Sequence, residues 1–464
     1  MQITSSLQRT VHQLSEAALR ELISLFGPAM DPVLLAHTPT TTKMRDRTFT
    51  PRVTFWAYLS QILTRGSSCR QAVLKVQALR LSLKQPPMSA STSAYCQARG
   101  RLSVGLLESV GSNVVKRLEA KIQPRDLWMK RHVKIVDATS TSLPDTASNQ
   151  KRWPQPSGQK MECGFPVMKI CGLFSLATGA LIASVPSRLH VHDGRLFPKL
   201  WNWLSAGDVV LADRAFCSFA TISSLLKRKA DCVFRLHQAR SADFRKGKRL
   251  GKNDRLIRWT KPPKRTATMS KKTFRSLPHE LVLRQLKFSI LVPGFRTKTI
   301  FLITTLIDYK IYPSSSLADL FRKRWNIELF FRDIKTTMGM EALRSQSPSM
   351  ALKELSVFLI AYNLIRLTMF EAAKKGSLPV QSISFKGTVD LLTACTWLFH
   401  LRHSKRLRRS LLLLIASDPL LDRPDRSEPR AQKRRPKPYQ YLSAPRHLMV
   451  VTPHRNKYKK KPLS

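Results

Sequence analysis

The chain has 464 residues, more than one ordinary domain holds and enough for about three. It carries 80 Lys and Arg against 29 Asp and Glu, a net charge of +51, an excess suited to a polyphosphate or an anionic membrane surface, since both release counterions when basic groups approach. An apolar fraction of 43% excludes disorder throughout, and the longest tight apolar runs, Val357 to Tyr362 and Leu411 to Ala416, are too short to predict a membrane span.

Apolar positions at helical spacing (Leu14, Ala18, Leu22, Phe26, then Trp56, Leu59, Ile62, Leu63) predict helices over 10–30 and 52–83, separated by a polar stretch from Thr38 to Thr50. After a linker holding Pro86 and Pro87, a further helix is expected over 92–122, so residues 1–125 read as an all-helical N-terminal domain whose basic residues suit DNA contact. From His132 the period changes. Val133 to Asp137 reads as a buried strand ending on a carboxylate, Met168 to Ala177 and Leu181 to Leu189 as strands joined at Thr178-Gly179, and Asp208 to Arg214 as an apolar run that stops on Asp213. A helix over Phe219 to Leu226 completes an α/β pattern, in which ligands collect at strand ends.

Residues 239–310 begin with a crowd of Arg and Lys, then return to strand-like runs at Leu281 to Leu286 and Thr299 to Leu306, the pattern of a basic, β-rich insertion into a core spanning 126–238 and 311–380. Helices are predicted over Ser316 to Met338 and Leu352 to Ala372, and from Asp422 the chain reads as a basic tail within a helical C-terminal region, 381–464. Seven cysteines without a CxxC pair read as reduced core residues, and Met1 to Ser5 lacks the features of a secretory signal, which makes the cytoplasm the expected compartment.

At about 100° per residue, Phe321, Arg324, Glu328 and Lys335 fall at roughly 0°, 300°, 340° and 320°, one stripe of a helix. Alone, this is the pattern of a solvated ladder, because i, i+4 pairs such as Arg324 and Glu328 are common on surface helices. Asp333, near 120°, is expected at the surface. His190, His192, His237 and Asp193 are read as ordinary loop or sheet residues.

The spacing Phe321-x2-Arg324-x3-Glu328-x6-Lys335 resembles the Tyr-Arg-Glu-Lys signature of the DDE transposases of the insertion-sequence IS-four family, with Phe in place of Tyr. Asp137-Ala138-Thr139 and Asp213-Arg214-Ala215-Phe216 resemble that family's two aspartate motifs, and the likeness extends over roughly residues 40–370. The resemblance implies a ribonuclease-H-like catalytic core and metal-dependent cut-and-paste transposition, with strand cleavage at transposon ends, a hairpin intermediate and strand transfer into target DNA. It implies that Asp137, Asp213 and Glu328 are catalytic and hold two Mg²⁺ or Mn²⁺ ions, since paired divalent cations about 4 Å apart stabilise both the attacking and leaving oxygens. It further places Arg324, Lys335, Phe321, Arg214 and, by stacking on an unpaired base, Trp259 among the DNA contacts; Trp259 reads equally well as a core residue of the insertion. The implied partners are the double-stranded DNA of terminal inverted repeats and target, and a second copy of the chain. A derived repressor without catalysis is the competing class, and the three intact acids speak against it.

Overall fold

The computed structural model describes residues 23, 25–30, 32–34, 48–265, 269–289, 299–395, 405–420 and 441–449; residues 10–22 of the helix predicted over 10–30, most of the Thr-rich stretch, and 422–440 and 450–464 of the basic tail lie outside them. Helices come first: α1 (Pro51–Leu63), α2 (Cys69–Ser82), α3 (Ser93–Arg101) and α4 (Val104–Glu119). Three of them, α1, α2 and α4, start where a polar side chain takes a free backbone amide. Thr50 accepts from the Val53 amide, Ser68 and Gln71 form a reciprocal capping box, and Ser103 accepts from Leu106. The last cap explains why the single helix expected over 92–122 is two: the chain turns at Leu102 and Ser103 and starts again.

The expected α/β character is realised as one mixed nine-stranded sheet. In chain order the strands are β1 (Val133–Ser142), β2 (Val167–Ser175), β3 (Leu181–Arg188), β4 (Val209–Ala212), β5 (Asp231–Arg235), β6 (Lys248–Gly251), β7 (Asp254–Thr260), β8 (Glu280–Ser289) and β9 (Thr299–Thr304). Their spatial order is β3-β2-β1-β4-β5-β9-β8-β7-β6. β1 runs antiparallel to β2 and parallel to β4, and β4 is parallel to β5. The strands after residue 239 hydrogen-bond onward from β5 through β9, so the sheet is continuous across the basic segment. There a buried ion pair ties β7 to β8, with Arg284 Nε 2.9 Å from Asp254 Oδ1 and Arg284 Nη1 donating to Tyr312 O.

Alternation along the strands splits the core in two. Val133, Ile135, Val209 and Leu211 face one side and Val136, Val210 and Ala212 the other, where they meet α5 (Phe219–Lys227) through Phe219, Ile222 and Leu225. On the first side lie α6 (Ser314–Arg322), α7 (Asn326–Arg332) and the long α8 (Pro348–Gly376), followed by α9 (Phe385–Cys395) and α10 (Lys405–Ala416). Val110, Val114 and Leu118 of α4 belong to the same apolar cluster as Ile360 and Leu364 of α8, so the N-terminal helices and the sheet share one core. α8 is long and apolar enough to cross a membrane by length and composition, yet 83% of its most apolar window is buried inside the fold. Asn363 locks it to the sheet by accepting from the Leu181 amide and donating to Leu181 O. All seven cysteines are free; Cys171, Cys217 and Cys232 are core residues, whereas Cys69, Cys96, Cys163 and Cys395 are half-buried.

The helix predicted over Ser316 to Met338 is interrupted. α6 ends in a 3-10 turn, Lys323–Trp325, and α7 runs into a π turn, Asp333–Thr337. Each change of pitch shifts the angular positions beyond it. Asp333 is consequently not at the surface: it is buried, 3.4 Å from the Arg366 guanidinium, which also rests on Tyr362 Oη and the Phe330 ring. Burial pushes its carboxyl up to about 6 despite that cation. Replacing Asp333 by Ala leaves Arg366 buried without a counter-charge and should lower stability by about 3 kcal/mol, read by denaturant unfolding. Asp319→Ala, which removes an exposed pair with Arg322, should change it by less than about 0.5 kcal/mol.

Candidate active site

The parallel pairing of β1 with β4 places Val136 opposite Ala212. One residue further, Asp137 and Asp213 stand at neighbouring positions about 5 Å apart in the pairing direction, and strand alternation aims both toward α7. Asp137 lies within β1, which continues to Ser142, while Asp213 follows the end of β4 and opens a 3-10 turn, Arg214–Phe216. On the other flank of Asp137 the antiparallel partner is Gly172. A side chain there would press on Phe174 and Leu181, so glycine leaves room for the Phe174 ring and for β3 beside the strand that carries the first aspartate.

The 3-10 turn Lys323–Trp325 and α7 bring the remaining groups. Arg324 Nη1 is 3.6 Å from Asp137 Oδ2 and Nη2 is 3.6 Å from Glu328 Oε1, so one guanidinium spans the two carboxylates. Its side chain is 9% exposed against 62% for Glu328, and it is held between the rings of Phe321 and Trp325. Arg324 is thus a fixed cation, and Glu328 the free end of the constellation. Asp137 Oδ1 accepts from the Ala138 amide at 2.8 Å. Its carboxyl is nevertheless pushed up to about 6, first by burial, against the pull of that amide and of Arg324, with Asp213 and Asp193 adding like charge. Asp213 Oδ1 is buried and has no hydrogen-bond partner.

An orphaned carboxylate oxygen beside a second carboxylate that resists ionisation is a site short of positive charge. The donors are oxygens alone, which fits hard divalent cations such as Mg²⁺ or Mn²⁺. Among the described residues no group of three His, Cys, Asp or Glu is close enough together to hold a metal ion as it stands. Arg324, between Asp137 and Glu328, occupies part of the space into which the acids would converge.

Other expected residues fall differently. Arg214 is exposed beside Asp213, and Lys335 is half-buried in the π turn. Phe321 is buried and packs on Phe288 and Trp325, so its ring supports Arg324 and offers no surface to DNA. Trp259 is buried opposite Leu281 with the Arg240 guanidinium 3.9 Å from its ring centroid, so the face that an unpaired base would stack on is taken. Of its two readings, that of a core residue holds. Asp193, read as an ordinary loop residue, is a fourth acid near Asp137 and is neutralised by Lys169 of β2 at 2.9 Å. Strand alternation puts Lys169 on the face of Cys171 and Leu173, opposite to that of Asp137, and nothing in the spacing ties it to residue 193.

Residues 128–364 match the family described as transposase DDE domain, and the chain belongs to the IS4 family of DDE transposases. It is 25% identical, over 94% of its own length and 97% of the other's, to the transposase InsG for insertion sequence element IS4 of Escherichia coli strain K12. It is 22% identical, over 60% of its length and 69% of the other's, to a probable transposase for insertion sequence element IS5377 of Geobacillus stearothermophilus. Among solved structures, that of piggyBac transposase in a synaptic complex with hairpin DNA covers 87% of this chain and 84% of that one, at 12% identity and a TM-score of 0.41. The protein is a DNA transposase, an enzyme that cleaves and joins DNA strands, and divalent-metal dependence is general in its family.

Asp137 binds a proton more tightly folded than unfolded, where its value is about 4, so its contribution to stability is greatest at low pH and is lost as pH rises toward 6. Added Mg²⁺ should therefore raise the melting temperature more at pH 7.5, where the carboxylate is free, than at pH 5, where the ion must displace a proton. Asp137→Asn should abolish this difference in thermal melts.

Proposed function

We propose that Asp137, Asp213 and Glu328 form the metal-binding catalytic triad of this transposase and hold two Mg²⁺ or Mn²⁺ ions. The observation that carries this reading is the β1–β4 register, which puts two aspartates side by side on the face covered by the helix of Arg324 and Glu328. Bound divalent cations supply Lewis acidity at a phosphodiester and stabilise its attacking and leaving oxygens. The chain's own residues do the positioning. Arg324, anchored by Phe321 and Trp325, turns from its carboxylate partners toward a DNA phosphate, and Lys335 and Arg214 supply further cations along the strand. Water then releases a 3′-hydroxyl at the element end, that hydroxyl attacks the opposite strand to give a hairpin, and the reopened end joins target DNA.

The order β3-β2-β1-β4-β5, with β2 antiparallel, supports a ribonuclease-H-like core over 126–238 and 311–380, with 239–310 inserted through β6 to β9. In this reading residues 1–125 and the basic C-terminal region, 381–464, hold duplex DNA, two copies bridge the two inverted repeats, and the protein works at the nucleoid. The net charge of +51 supports the DNA contacts.

Asp137→Ala, Asp213→Ala and Glu328→Ala should each abolish nicking and hairpin formation on a labelled end fragment with Mg²⁺, while binding to that fragment stays within about threefold, because phosphate contacts and metal ligation are separate terms. Loss of binding in parallel with cleavage would refute the assignment. A non-catalytic repressor would bind the same fragment and leave it intact in every condition.

A further inference from the structure

Between the N-terminal helices and the segment following the π turn lies a cleft of about 1020 Å³. The α1–α2 turn forms one wall and residues 338–347 form the other. That second wall is bound to the end of β1: Thr141 Oγ1 donates to Met340 O at 2.7 Å, and the Leu343 amide to Ser142 O at 2.9 Å. The cleft thus opens where the strand of Asp137 ends, on the order of 16 Å from that aspartate along an extended backbone.

One hydroxyl lining it has nothing to bond: Ser67 is 3% exposed and its Oγ has no hydrogen-bond partner, whereas Tyr58 Oη faces the Ser345 hydroxyl and the Glu354 carboxylate. Buried hydroxyls are rarely left so, because the water they lose is not replaced. Gly66, at φ +85°, takes the left-handed conformation that turns the chain into Ser67 and the start of α2. Arg65, Arg99 and Arg344 also line the cleft. Arg99 is stacked on the Tyr58 and Tyr95 rings, each centroid 5.0 Å away, and its buried Nε has no partner. The two acids in the lining are already engaged: Glu354 accepts from the Arg344 and Ser345 amides and from Ser345 Oγ, and Glu341 accepts from Thr336 Oγ1. Donors and positive charge are in surplus, and what is missing is an anion with several acceptor oxygens.

We propose that this cleft seats one backbone phosphodiester of the DNA that crosses the active site, with Ser67 Oγ and Arg99 Nε donating to its oxygens and Arg65 closing over it. The inference rests on the DNA-cleaving reading above. At 3.4 Å of rise per nucleotide, the seated linkage lies about five nucleotides from the scissile one.

The test uses full-length protein and duplexes carrying the element's terminal repeat, each with a single uncharged methylphosphonate at a successive position. One linkage, about five nucleotides from the cleavage point, should weaken binding about tenfold when neutral. Ser67→Ala and Arg65→Gln should each weaken binding to unmodified DNA about tenfold and become indifferent to that linkage. Their melting temperatures without DNA should match the wild type, since Ser67 Oγ has no protein partner to lose and Arg65 is exposed. The seat is overturned if both variants bind as the wild type does with its linkage profile, or if they melt lower without DNA. It is also overturned as a DNA site if inorganic phosphate alone protects the wild type and not Ser67→Ala while the linkage profile stays flat. Protein that cuts the repeat with a flat profile refutes the seat alone, whereas protein that neither binds nor cuts it refutes the enzymatic reading as well.

Discussion

Parallel pairing between β1 and β4 fixes where the chemistry can sit, because the residue after each of the paired Val136 and Ala212 is an aspartate. Two carboxylates on adjacent strands of one sheet face repel each other and lose water together, and burial makes both effects larger. The raised carboxyl of Asp137 and the unbonded oxygen of Asp213 are the visible results. Arg324 relieves part of that cost while Phe321 and Trp325 hold it in place. In the proposed reaction the same guanidinium that steadies the acids in the free protein turns to the incoming phosphate, so ligand exchange and relief of repulsion are linked.

The aspartates were legible because a buried strand has a period of two and an apolar run that stops on a carboxylate is conspicuous. The helix carrying Glu328 was legible only in part. Its angular arithmetic holds if pitch is constant from Phe321 to Lys335, and it is not: the 3-10 turn at Lys323–Trp325 and the π turn at Asp333–Thr337 each change it. The i, i+4 relation of Arg324 to Glu328 survives as an observed pair, whereas Asp333, beyond α7, moves from the expected surface into contact with Arg366. Periodicity also could not separate Phe321 and Trp259 as ligands from Phe321 and Trp259 as supports, since an aromatic ring has the same pattern in either role. The pairing of Lys169 with Asp193 depends on a loop returning to a strand, which spacing does not encode.

The basic segment after residue 239 has a composition unlike the rest of the chain, yet its strands extend the main sheet. Hydrogen bonds run unbroken from β5 to β9 and on to β6, and the Arg284–Asp254 pair binds β8 to β7 in the interior. A compositional boundary here is not a mechanical one. Charge on this segment is delivered at a fixed height relative to the aspartates, because sheets transmit position along their pairing direction.

α8 depends on elements that precede it: α1 and α4 cover it, and Leu181 of β3 bonds to its Asn363. The ribosome makes those partners first, so this apolar helix emerges after most of its groove has been synthesised, with α10, which also packs on it, still to come. A nascent chain released just before Pro348 would already contain Asp137, Asp213 and Glu328, complete in formula and without the beam that holds them in register. Its open groove would be the apolar surface of the fragment, so its tendency to associate would follow from the timing of translation and not from its active site.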